Sequence, residues 1–161
     1  MPNDQPFVGA YLPALLAQAS HLISTEFHAI VQANGLSVLE WRVLATLADS
    51  GPINIGQLAQ QSVSKQPTVT RLLDRMEQQG YVERLSAAKD RRLTMVRMTR
   101  AGDKMIAGLI REAHAHEASV LEPLGAKRSK ELKKVLRELI ALHRPALTAP
   151  PEPGAPDRKA R

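Results

Sequence analysis

Apolar residues recur with a helical period along most of this chain and alternate in a strand-like way in only one stretch. Over residues 11–31 they fall at Leu12, Leu15, Leu16, Ala19, Leu22, Ile23, Phe27, Ile30 and Val31, the spacing of one helix face. Asn34-Gly35 ends that helix, and Leu36-Ser37 opens the next. Ser37 caps it, Glu40 three residues on completes a capping box, and Leu36 with Trp41 fits a hydrophobic staple. This second helix runs to about residue 49, where Ser50-Gly51-Pro52 turns the chain. Asn54 caps a short helix to Gln61, stapled by Ile53 and Leu58. Ser64 then caps a helix to about residue 79, with Val69, Leu72, Leu73 and Met76 inward. Pro67 sits in its first turn, where a missing N–H costs nothing.

Two short helices with a tight turn between them, the second strongly one-sided, form a helix-turn-helix signature. Residues 81–86 and 93–99 then predict two strands around a long hairpin tip, a wing. Thr99 caps a long helix with Met105, Ile106, Leu109, Ile110, Ala113 and Val120 on one stripe. Pro123 interrupts it. A last helix is predicted over 129–143, with Leu132, Val135, Leu136, Leu139 and Ile140 inward, ended by Pro145. Residues 1–10 predict a flexible arm, and the Pro-rich residues 145–161 a disordered tail. The pattern describes one mainly α domain over 11–144. Its winged helix-turn-helix, about 36–100 with a small β-hairpin wing, is flanked by long helices at about 11–33 and 100–144.

Composition narrows the function. The 161 residues are 43% hydrophobic but only 3% aromatic, which suits a core of Leu, Ile, Val, Ala and Met between helices. Cysteine is absent, so disulfides, thiol redox switches, Cys nucleophiles and thiolate metal sites are excluded together. No apolar run approaches the roughly 18 residues of a membrane span, and no basic-then-apolar leader opens the chain. The expectation is a cytoplasmic protein.

Charge is segregated. Residues 1–62 carry one basic and four acidic side chains, residues 64–100 nine basic and four acidic, and residues 101–161 twelve and eight. The middle stretch therefore holds +5 of a total of +6. A helix beside a basic ribbon suits a polyanion, and DNA above all.

With 64–79 drawn as a helix, the face opposite the apolar stripe is centred on Pro67, Arg71, Asp74 and Gln78. Ser64, Thr68, Thr70 and Arg75 flank that face, and Lys65 joins them at the helix start. The N-terminal part of a recognition helix meets base edges. Gln66, Pro67, Thr68 and Thr70 are thus the candidate base readers, Gln66 for adenine, Pro67 and the Thr methyls for thymine methyls. Arg71 and Arg75 suit phosphates or a guanine edge, and Arg84 and Lys89 suit phosphates. Arg91 and Arg92 stand at the wing tip, where an arginine can enter the minor groove. The plainer alternative is a solvated helix face and an exposed basic turn.

The order of elements and particular residues resemble the MarR (multiple antibiotic resistance regulator) family of bacterial transcription factors. The resemblance covers roughly residues 10–144. It rests on Gly35-Leu36-Ser37 leading to Trp41-Arg42-Val43-Leu44, then Leu58-Ala59 and Thr68-Val69-Thr70-Arg71-Leu72-Leu73-Asp74. It continues through Gly80-Tyr81-Val82-Glu83-Arg84, Asp90-Arg91-Arg92, Met98-Thr99 and Gly102. The resemblance implies a homodimer with interlocked first and last helices, binding a pseudo-palindrome in double-stranded DNA. It implies Arg92 as the groove-inserting residue with Asp90 orienting it, and release by a small molecule, often an aromatic acid or phenol.

The resemblance puts the effector between the first, second and fifth helices and the winged helix. Trp41 and Arg42 offer an aromatic wall and a carboxylate partner there, although Trp41 also serves the staple and core. His21, Ser24 and His28 share one face of the first helix. A metal-responsive regulator is an alternative. His114 and His116 project about 200° apart on a helix, and His116 falls on the apolar stripe as a satisfied core or interface histidine. No metal site and no cofactor is expected. Nor is catalysis, for the chain has no Gly-rich phosphate loop, nucleophile elbow or helical metal-binding His pair. An effector-independent, architectural DNA-binding protein is the other alternative. The cluster Lys127, Arg128, Lys130, Lys133 and Lys134 is interleaved with Glu131 and Glu138 and reads as a solvated helix side, so no membrane partner is expected.

Overall fold

The structure, a computed structural model, describes residues 7–86 and 94–148. The chain divides into two compact units, Met1–Glu117 and Ala118–Arg161.

The first unit opens with a helical turn, α1 (Phe7–Ala10), followed by α2 (Leu12–Ala33). The arm expected over 1–10 is thus helical from Phe7, whose ring stacks on Tyr11 at 4.9 Å. α3 (Val38–Ser50) begins with the capping box: the Glu40 amide donates to Ser37 Oγ at 3.2 Å, and the Ser37 amide donates to Glu40 Oε2 at 2.7 Å. β1 (Ile53–Asn54) leads directly into α4 (Ile55–Gln61), which Asn54 caps through a 2.8 Å bond from the Gln57 amide. Helix α5 (Gln66–Gln78) precedes the wing strands β2 (Val82–Ser86) and β3 (Thr94–Met98). The sheet has three strands in the order β1-β3-β2, not the two expected. Ile53 pairs with Val96 and Asn54 with Met95, so β3 lies in the middle. A two-residue strand is too short to show alternation, and only the fold brings it to its partner.

The core collects Phe27 and Val31 of α2, Val43, Leu44 and Leu47 of α3, Leu58 of α4 and the four inward residues of α5. Val82, Val96, Ile106 and Leu109 close it. Ile106 and Leu109 belong to α6 (Arg100–Leu121), which a single residue joins to β3. That residue, Thr99, accepts the Gly102 amide at 3.2 Å, donates its hydroxyl to the Gly80 carbonyl and gives its own amide to the Tyr81 carbonyl at 3.0 Å. Gly102 fits tightly here: a Cβ would stand 2.3 Å from the Tyr81 carbonyl oxygen.

Three helices end in the same hydrogen-bonded turn. The residue three past the last helical one bonds back five residues: Leu36 to Val31, Ser64 to Ala59 and Tyr81 to Met76. The residue before it takes a left-handed conformation, at φ +78° for Gly35, +76° for Gly80 and +55° for Val63. For a residue with a Cβ that conformation costs about 1–2 kcal/mol. This turn also corrects the expected start of α5. The Ser64 amide closes α4, and Lys65 takes the N-cap position, with no side-chain cap bond, so that the helix begins at Gln66.

The second unit holds the end of α6, a 3-10 turn at Glu122–Leu124 containing Pro123, and α7 (Gly125–Thr148). α7 starts a turn earlier than expected, because Ser129 does not cap it but donates its hydroxyl to the Gly125 carbonyl at 2.8 Å. It also runs through Pro145 to Thr148; one proline in a last turn removes one donor, while its fixed φ remains helical. Within one copy, Leu132, Val135 and Ile140 are exposed rather than inward, for α7 buries no described side chain. The expected disordered tail, beyond residue 148, and residues 1–6 lie outside the described residues. No described helix is long and apolar enough to cross a membrane.

Candidate nucleic-acid interface

Helix α5 is divided cleanly by burial. Val69, Leu72, Leu73 and Met76 are buried, whereas Gln66, Pro67, Thr68, Arg71, Asp74 and Arg75 are exposed and Thr70 is half-buried. Lys65 stands exposed at the N-cap, with Ser64 half-buried beside it. The expected reading face is therefore solvent-facing and continuous. Thr70 donates its hydroxyl proton to the Gln66 carbonyl at 2.9 Å, so what it offers a ligand is a methyl group and a lone pair. Arg71 and Arg75 line a cleft of about 300 Å³ with Thr68, Leu72, the α3 cap Ser37 and Leu39 in the first turn of α3. Neither arginine has an ion-pair partner among the described residues.

Arg84 is different. Its Nη1 donates to Glu77 Oε2 at 2.7 Å, and its Nη2 to Asp74 Oδ1 at 2.7 Å and to the Thr70 carbonyl at 3.2 Å. The Arg84 amide adds a 3.1 Å bond to Glu77 Oε1. Burial by itself lowers the pKa of this guanidinium, but the hydrogen bonds and charges of Asp74 and Glu77 outweigh burial and the net shift is upward. A guanidinium so engaged is a tether that holds β2 against α5, a role that the expected phosphate contact did not include. Arg97 is likewise paired across the wing, with Glu83 at 2.6 Å, its register partner on β2. Three of the four acidic side chains in the basic stretch thus hold arginines in place. Lys89, Asp90, Arg91 and Arg92, the expected wing-tip contacts, lie outside the described residues.

The expected effector residues fall into two places. Burial, then the charges of Arg42 and His21, push the pKa of His28 below its usual value. Ser24, on the same helix as His21, is half-buried. Trp41 stands edge-on to Phe27 at 5.0 Å, and its ring borders a different cleft, about 180 Å³, with Ala45, Asp49, Ile110, Ala113 and His114. His21, Ser24 and Arg42 do not line that cleft. His116 packs on Phe27 at 5.7 Å, but among the described residues its buried Nε2 lacks the hydrogen-bond partner expected of a satisfied core histidine. Glu26 Oε2 stands 3.8 Å from that nitrogen, beyond hydrogen-bond distance.

Comparison with known proteins settles the family. Residues 36–94 match the family model described as MarR family. The HTH-type transcriptional regulator FarR of Neisseria gonorrhoeae is 30% identical over 124 residues, 77% of this chain and 85% of its own. The chain belongs to the MarR family. A crystal structure of a MarR family regulator from Silicibacter pomeroyi DSS-3 superposes with a TM-score of 0.75 at 38% identity, covering 86% of this chain and 98% of that one. NadR in complex with 4-hydroxyphenylacetate gives a TM-score of 0.77 at 29% identity, over 86% and 97% of the two chains. The homoprotocatechuate degradative operon repressor of Escherichia coli is 28% identical over 131 residues, 81% of this chain and 88% of its own.

This MarR regulator is a DNA-binding transcription factor with the winged-helix fold expected of it. Two parts of its reading apparatus escape sequence reasoning. Strand β1 fixes the base of the wing, and Glu77 completes the seat of Arg84. The seven-residue gap between Glu77 and Arg84 carries no local signal, because the partnership depends on β2 folding back beside α5.

Proposed function

We propose that this chain is a homodimeric repressor that blocks its promoter and is released by a small aromatic or phenolic acid. The observation that carries the reading is the division of α5, with four apolar residues buried and a continuous polar and basic face outside. Lys65, Gln66, Pro67, Thr68 and Thr70 lie at the end that enters a major groove, where Ser64 begins the approach; Arg71 and Arg75 hold phosphates or a guanine edge. Arg91 and Arg92 serve the minor groove, with Asp90 orienting Arg92 and Lys89 on the backbone. The exposed apolar faces of α2 and α7 supply the dimer contact, since Leu15, Leu16 and Leu22 on one and Leu132, Val135 and Ile140 on the other are exposed in a single copy.

Arg42 would take the carboxylate of an effector, with His28 and His21 as ring hydrogen-bonding groups near it. The aromatic ligand of NadR and the pathway named for the Escherichia coli repressor support that ligand class. Ligand control is then a population shift toward dimers whose recognition helices are displaced from the spacing of one helical turn, about 34 Å. Selection of bound fragments from the source genome, followed by titration with 4-hydroxyphenylacetate and related acids, tests this. Release by an aromatic acid, lost in Arg42→Ala, supports the reading. DNA binding indifferent to every such acid favours an architectural protein instead.

A further inference from the structure

We propose that Val63 is a DNA contact, an apolar post at the helix-turn-helix turn that meets the carbon surface of the duplex. The proposal rests on the reading of α5 as the major-groove helix.

Val63 is anomalous in three ways at once. It occupies the left-handed position of a turn that glycine fills in the two other places where the chain uses it, after α2 and after α5. A β-branched side chain is among the least suited to that conformation. Nor does packing compensate, for Val63 is 79% exposed, the most open of the large apolar side chains among the described residues. A strained, solvent-facing residue persists where the surrounding structure holds it for a purpose. Burial supplies none here.

Its location does. Val63 stands two residues before Lys65, the N-cap of α5, at the same end as the exposed Gln66, Pro67 and Thr68. That end is otherwise mostly polar. The C5-methyl of thymine is the one apolar group that base edges present in the major groove, and the deoxyribose carbons of the adjacent backbone are the other carbon surface within such a site. An isopropyl group fixed by its backbone meets either at small entropic cost, because Val has a single side-chain torsion.

The test uses the full chain and a duplex it selects from a random-sequence pool. Val63→Thr keeps the β-branch and nearly the same shape while replacing a methyl by a hydroxyl. It is expected to bind about tenfold more weakly, with thermal stability unchanged, as two methyl contacts are lost per dimer. Val63→Gly is expected to melt several degrees higher and also to bind more weakly. Replacing thymines by deoxyuridine at the selected site separates the two carbon surfaces. If the parent weakens and Val63→Thr does not weaken further, the contact is a thymine methyl; if the gap between them persists at every substituted site, it is the sugar. Parent-like affinity of Val63→Thr overturns the proposal, whatever the glycine variant does. Arg71→Ala tests the placement of α5 separately. Weak binding by Arg71→Ala beside normal binding by Val63→Thr would reject Val63 and leave the helix in the groove.

Discussion

Helix α5 has 13 residues and buries four large apolar side chains; helix α7 has 24 and buries none among those described. Both have a one-sided apolar stripe in the sequence. The difference is whether the rest of the same chain supplies something to cover it. Around α5, the helices α3 and α4, the sheet and the start of α6 close the core from every side. α7 keeps Leu132, Val135 and Ile140 in water, and the first half of α2 does the same with Leu12, Leu15 and Leu16. Amphipathic periodicity therefore announces that a helix has an inside. It does not say whose inside.

The hardest test of this contrast is to charge the uncovered stripe. Val135→Asp together with Ile140→Asp is expected to give monomers in analytical ultracentrifugation. Affinity for a two-half-site operator should fall by about 10²–10⁴, since the half-sites lose their linkage, while the far-ultraviolet circular dichroism of the winged helix persists. A dimer that survives would mean that α7 is not the seam. Leu73→Ala probes the covered stripe: it is expected to cost about 2–5 kcal/mol in urea unfolding, with a loss that does not depend on protein concentration.

Smaller effects sharpen the picture within the winged helix. Arg84→Gln removes the tether between β2 and α5 and should cost about 1 kcal/mol of stability, weakening DNA binding to a similar extent at every sequence. A change of salt slope by one phosphate would instead restore Arg84 to the backbone. Ser62 is fully buried and its hydroxyl has no hydrogen-bond partner among the described residues. Ser62→Ala is expected to raise stability by about 1 kcal/mol in the same urea titration. The smallest effect is that of His28. Its pKa is lower folded than unfolded, so the unfolded chain binds the proton first as pH falls. Stability is then full above the usual histidine range and declines as pH drops from that range toward the depressed value. Melting curves of His28→Gln at several pH values should lack that part of the decline.

What the sequence made legible was local chemistry. Ser37 with Glu40, Asn54 with Gln57 and Thr99 with Gly102 are caps whose partners lie three residues away, and the structure contains all three. The α5 stripe was equally plain. The start of that helix was not, because its position is set by a left-handed turn at Val63 with no glycine to mark it. Arg84 looked like its basic neighbours; only the approach of β2 to Asp74 and Glu77 turns it inward. Strand β1 depends on a pairing with β3 about 40 residues away in the sequence, beyond any window in which alternation is read.

One junction has a mechanical consequence. Between the middle strand of the wing and the first turn of α6 there is only Thr99, hydrogen-bonded to Gly80, Tyr81 and Gly102, and no room for even one methyl carbon where Gly102 passes the Tyr81 carbonyl. Such a joint has no slack. It acts as a crankshaft bearing: α6 cannot turn or slide at this end without carrying along the foot of the wing and, through Gly80, the last residues of α5. A displacement of α6 at this end would therefore leave the reading head its shape and change where that head is aimed.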